Sequence, residues 1–171
     1  MKNQLASFAI LYFVTINAVS AQKEQSFEYW EEKIHANESF DKMKATFTSE
    51  NYELLNDKKY IPNSLIKVLS DGIRKVKFVN AGENYRATDV VRWRGQPTRQ
   101  IMLLAKSESY LILTYKHGGR GHHHHIIWCE LTDNKITDLW IGSVLLRDLY
   151  TLNDIISVTD IDPSELNTYC R

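Results

Sequence analysis

Four consecutive histidines, His122-His123-His124-His125, follow the glycine-rich segment Gly118-Gly119-Arg120-Gly121 and run directly into Ile126-Ile127-Trp128. They lie inside the chain beside hydrophobic sequence, unlike a terminal tag. On a strand they divide two and two, with His122 and His124 sharing a face about 7 Å apart at the backbone. If Gly118–Gly121 is the loop of a hairpin, His117 stands directly across from His122, with side-chain roots about 5 Å apart. His117, His122 and His124 would then offer three imidazoles to one ion, an arrangement that zinc accepts with a fourth position open. Copper accepts imidazole equally. The same register puts Tyr115, His117, His122, His124 and Trp128 on one face, the lining expected of an organic-ligand pocket. The plainest alternative is a solvated strand end, and a one-residue slip in register would scatter the trio.

Other chemistry is sparse. A histidine base usually has a carboxylate to orient it, and in this register Asp138 falls opposite Cys129, roughly 13 Å from His125. Asp89 and Glu83 are the carboxylates left to approach from the preceding strands. No G-x-S-x-G nucleophile motif occurs, and neither cysteine has a nucleophile context. Arg86, Arg92 and Arg94 share one side of a predicted strand, with Arg99 beyond the next turn; they read as a solvated outer face or an anion site. Cys129 and Cys170 are the two cysteines. In an oxidising compartment they would form a disulfide closing a loop of about 40 residues, worth on the order of 4 kcal/mol.

The elements that would position these residues come in two kinds. Phe27, Trp30 and Ile34 repeat at helical spacing behind Ser26 as cap. Phe40–Phe47 follows, with Ser39 as cap and Met43 and Phe47 inward. Asn51–Tyr60 reads as a short helix and a loop. Pro62-Asn63-Ser64 opens a third helix with Leu65, Ile66, Val68 and Leu69 inward, stopped by Gly72. The period then becomes alternating. Lys75–Phe78 and Tyr85–Trp93 read as strands, and a meander follows: Arg99–Ala105, Tyr110–His117, His122–Leu131 and Ile136–Ser143. Leu145, Leu149, Leu152 and Ile156 predict a C-terminal helix. Helices followed by an antiparallel meander make an α+β fold, with N-terminal helices on a curved sheet.

The first 21 residues read as a cleaved signal peptide. Lys2 precedes a mostly apolar run from Leu5 to Val19, and Val19-Ser20-Ala21 offers small residues for cleavage after Ala21. A secreted or periplasmic single domain, residues 22–171, is expected. Removing the signal leaves 20 basic against 21 acidic residues, a net charge of −1. That balance argues against nucleic-acid partners, and no second long apolar run suggests a membrane span.

The order of elements, closing on Trp128-Cys129-Glu130-Leu131-Thr132-Asp133-Asn134-Lys135-Ile136-Thr137-Asp138-Leu139-Trp140, resembles the nuclear transport factor 2-like (SnoaL-like) superfamily. Its members often end in a hairpin whose turn reads acidic-Gly-Lys-Ile, here Asp133-Asn134-Lys135-Ile136. Asn134 stands for the glycine, as asparagine also accepts positive φ. The resemblance implies a cone-like sheet wrapped round helices, a fold that hosts enzymes, binding modules and assembly domains and so assigns no function by itself. The leading expectation is a non-catalytic module for a small-molecule or protein ligand, with no cofactor called for beyond the zinc or copper option. The alternative is a small lyase, isomerase or hydrolase using histidine as acid/base or metal ligand. A homodimer formed through the sheet is a third reading.

Overall fold

A computed structural model describes residues 27–70, 75–88, 95–119, 123–145, 147–160 and 166. Among the described residues there are four α-helices: α1 Phe27–His35, α2 Phe40–Ser49, α3 Asn63–Leu69 and α4 Leu152–Thr159. The strands are β1 Glu53–Leu54, β2 Phe78–Val79, β3 Arg99–Lys106, β4 Tyr110–His117, β5 His123–Thr132 and β6 Lys135–Val144. They form one sheet in the order β1-β3-β4-β5-β6, antiparallel throughout, with the short β2 added parallel to β3. The fold is α+β, and the meander strands lie within one residue or two of the sequence expectation.

The long strands are apolar on both faces because both are covered. On one face Leu111, Leu113, Ile127, Cys129, Leu139 and Ile141 pack with Trp30 and Ile34 of α1 and Leu65 of α3. On the other, Ile112, Ile126, Trp128 and Trp140 pack with Phe40, Met43 and Phe47 of α2 and with Ile155 and Val158 of α4. The last hairpin closes on Asp133 and Asn134, both at positive φ (52° and 60°). Such a two-residue turn follows the twist of its strands.

One buried carboxylate ties helices to sheet. Asp138 of β6 accepts from Lys33 Nζ of α1 (3.0 Å), Ser39 Oγ (2.5 Å) and Lys42 Nζ of α2 (3.1 Å). Ser39 precedes α2 as expected, but its hydroxyl makes no cap bond; it is committed to Asp138 instead. Burial by itself raises the Asp138 carboxyl, but Ser39, Lys33 and Lys42 outweigh it and hold the group below its ordinary value. The C-terminal helix begins later than Leu145. Thr151 and Asp154 form a reciprocal cap there, the Thr151 hydroxyl accepting from the Asp154 N–H (3.1 Å) and the Asp154 carboxylate from the Thr151 N–H (2.8 Å).

Two further expectations differ. Residues 53–54 pair with β3 as a strand, followed by a single 3-10 turn at Lys58–Tyr60, where a short helix was expected. Of the expected strand Tyr85–Trp93, residues 85–88 form no strand, and 89–94 lie outside the described residues. Cys129 is a free thiol, fully buried between Leu111 and Leu139 of the flanking strands. Burial pushes it up to about 12. Its expected disulfide partner Cys170 lies outside the described residues, as do Gly72, Arg92, Arg94 and the 1–21 segment.

Candidate metal centre

The register of the β4–β5 hairpin decides which histidines meet. His117 pairs with His123, Tyr115 with His125 and Leu113 with Ile127. The connection therefore spans five residues, 118–122, where four were expected. This is a one-residue slip, and with a side-chain period of two it exchanges the faces of the whole of β5. The expected trio of His117, His122 and His124 is corrected to His117, His123 and His125; His122 lies outside the described residues.

These three come together. Each offers one ring nitrogen, and the three nitrogens lie within 4.8 Å of one another. His123 and His125 are two apart on β5, so both point to one face, and His117 stands opposite His123. The ring centroids of His117 and His123 are 5.2 Å apart, those of His123 and His125 5.0 Å, and those of His117 and His125 5.5 Å. A tetrahedral ion with bonds of 2.0–2.1 Å needs its nitrogens about 3.4 Å apart, so the three rings would have to close around it.

The cluster caps the polar end of an otherwise apolar face. Along it, Leu111, Cys129 and Leu139 form one row and Leu113, Ile127 and Ile141 the next. Ile101, Tyr115, His125 and Ser143 follow, and Arg99, His117 and His123 close the face. Tyr115 holds His125 in place, its ring stacked on the imidazole at 4.7 Å and 10°. Phe78 of β2 packs edge-on against Tyr115 at 5.2 Å.

Burial makes these imidazoles unusual. His125 is only 2 % exposed, and neither of its ring nitrogens has a hydrogen-bond partner among the described residues. The same holds for His117 Nδ1. Buried polar atoms are nearly always paired, so an orphaned imidazole in a core is unusual. Burial first, and then the charges of Arg99, His123 and Arg86, push His117 down to about 4. Burial likewise, with His117, His123 and Arg99, holds His125 well below its ordinary value. Both are neutral at pH 7, the form that ligates metal.

Two arginines approach the trio. Arg99 is the direct cross-strand neighbour of His117, and its guanidinium lies 6.0 Å from the Tyr115 ring centre. Arg86 arrives from the 85–88 segment, which crosses the end of β4. Its N–H donates to Pro97 O (2.8 Å), and the Gly118 N–H beside it donates to Thr98 O (2.8 Å). A Cβ on Gly118 would meet Arg86 O at 1.9 Å and Ala87 Cα at 2.8 Å, so only glycine lets this backbone pass. No Asp or Glu joins the histidine cluster among the described residues. Glu83, considered above as an orienting carboxylate, is engaged by Asn80 N (2.9 Å) and Lys58 Nζ (3.4 Å); Asp89 lies outside the described residues.

The pocket expected from Tyr115, His117, His122, His124 and Trp128 is divided between the two faces. His124 and Trp128 lie opposite to Tyr115 and His117 and do structural work. His124 Nδ1 bonds the Arg147 carbonyl. Trp128 donates from Nε1 to Thr46 Oγ1 (3.0 Å) and stacks on Tyr110 at 5.3 Å. His123 and His125 were absent from the expected set only through the slip; the H-x-H pattern that marks them was read at the neighbouring pair.

No family model, curated protein or solved structure matches the chain, and nothing there bears on the nuclear transport factor 2-like resemblance.

Proposed function

We propose that this chain is a non-catalytic binding domain whose ligand is a transition-metal ion of the zinc class, held by His117, His123 and His125. One observation carries the reading: three imidazole nitrogens within 4.8 Å, one ring of the three buried with no hydrogen-bond partner for either nitrogen among the described residues. Zinc and copper both suit three imidazoles, and neither needs a carboxylate ligand. The domain would work outside the cytoplasm; the apolar run Leu5–Val19 and the small residues Val19-Ser20-Ala21 support a signal peptide. N-terminal sequencing of secreted material should then begin at Gln22, and a start at Met1 would contradict it.

The open coordination position favours one further reading, a metal-dependent hydrolase or lyase. Proton transfer is most often served by histidine, and the three clustered histidines are taken up as ligands in the metal reading. The binding reading therefore leads.

Thermal denaturation with and without zinc tests it. Micromolar zinc should raise the melting temperature of the parent protein. His125→Ala and His123→Ala should each lose that rise, measured against their own metal-free values. His124→Asn, on the opposite face, should retain it. A zinc response that survives His125→Ala, or one lost equally in His124→Asn, would refute the assignment.

A further inference from the structure

We propose that the fourth coordination position is filled by a small oxyanion, a carboxylate or a phosphate group, held between the metal and the guanidinium groups of Arg86 and Arg99. The inference rests on the metal reading above and adds the class of molecule the site receives. Charge carries it. A divalent ion held by three imidazoles, which ligate in their neutral form, would face two guanidinium groups, with no Asp or Glu in the cluster among the described residues to offset them. Other three-imidazole sites can be neutralised by hydroxide alone, but here the guanidinium groups ask for an anion with several acceptor oxygens.

The arginines are placed for that task. Arg99 sits in the same cross-strand row as His117 and His123. Arg86 is fixed by its backbone bond to Pro97 and by the passage over Gly118. Its Nε is buried and has no hydrogen-bond partner among the described residues, as His117 Nδ1 also has none. Neither arginine is in an ion pair among the described residues. An orphaned donor, Arg86 Nε, and the three-histidine cluster thus occur together at the polar end of the sheet. An oxyanion can bind the metal through one oxygen and accept from the guanidinium groups through the others.

Cobalt(II) titration followed by visible absorption separates the two claims, because the ligand-field band reports the metal and its response to anions reports the co-ligand. The full chain is titrated in a perchlorate-based buffer, alone and with millimolar acetate or inorganic phosphate. One or both anions should tighten cobalt binding about tenfold, and by linkage cobalt should tighten that anion equally. A response to acetate alone identifies a carboxylate ligand, and one to phosphate alone a phosphate ester. Arg99→Gln and Arg86→Gln should keep the band, which shows that they fold, and lose the anion effect. Without anion they should bind cobalt more tightly than the parent, since a repelling charge is gone. A normal band that ignores both anions, or an anion effect unchanged in both variants, overturns the oxyanion and leaves the metal site standing. Absence of any band overturns both.

Discussion

His125 is the residue with the most to explain. It lies 2 % exposed, stacked on Tyr115. A buried donor or acceptor without a partner costs about 1–3 kcal/mol. Such a residue persists where it serves a site, the usual trade of stability for function. Phenylalanine would preserve the stacked contact and remove both orphaned nitrogens. His125→Phe should therefore stabilise the metal-free protein by about 1–3 kcal/mol in urea denaturation while abolishing its zinc response. A variant less stable than the parent would mean that the imidazole is satisfied in a way the orphaned nitrogens do not reveal. The thiol of Cys129 makes the contrary case: buried among Leu111 and Leu139 and pushed up to about 12, it is inert packing. Native protein should resist iodoacetamide at Cys129 and react only when unfolded; peptide mapping that joins Cys129 to Cys170 would contradict this.

At the scale of elements, the site depends on how strands and crossing segments are pinned. The H-x-H spacing in the sequence showed that one strand would carry paired imidazoles next to His117. It could not show which pair, because the answer hangs on one residue of loop length between Gly118 and His123. Alternation gave no help: His123 and His125 are flanked by His124 and Ile126, and β5 is apolar on both faces. The helices were legible from spacing, but their attachment to the sheet was not, since the Lys33–Asp138–Lys42 cluster joins residues about 100 positions apart. Asp138→Asn should cost about 1–3 kcal/mol. The carboxyl is held below its ordinary value, so its contribution is fully present above the unfolded value of 3.8 and is lost as pH falls through the lower folded value. The stability gap between parent and variant should accordingly be constant near neutrality and shrink only below about pH 4; a gap that closes by pH 6 would contradict the assignment. Gly118→Ala would drive a Cβ into the Arg86 and Ala87 backbone. It should destabilise by about 1–3 kcal/mol and weaken anion binding more than metal binding, which compared titrations would detect.

For the whole molecule, the two covered faces have different duties. The α2–α4 side is a conventional core in which Trp128, Trp140 and His124 each find a hydrogen-bond partner in a helix or loop. The α1–α3 side is apolar at the Leu111 end and carries the imidazoles and Arg99 at the other. The same sheet thus anchors its helices through one face and its far row, and presents a site at the near row of the other. The central claim is that His117, His123 and His125 jointly hold one metal ion. X-ray absorption on the zinc-loaded protein tests it most directly. The account predicts three imidazole nitrogens at about 2.0–2.1 Å, with light-atom ligation completing the shell. It also predicts loss of one imidazole from that shell in His123→Ala. A zinc shell containing sulfur, or one whose imidazole count is unchanged by His123→Ala and His125→Ala, would contradict it.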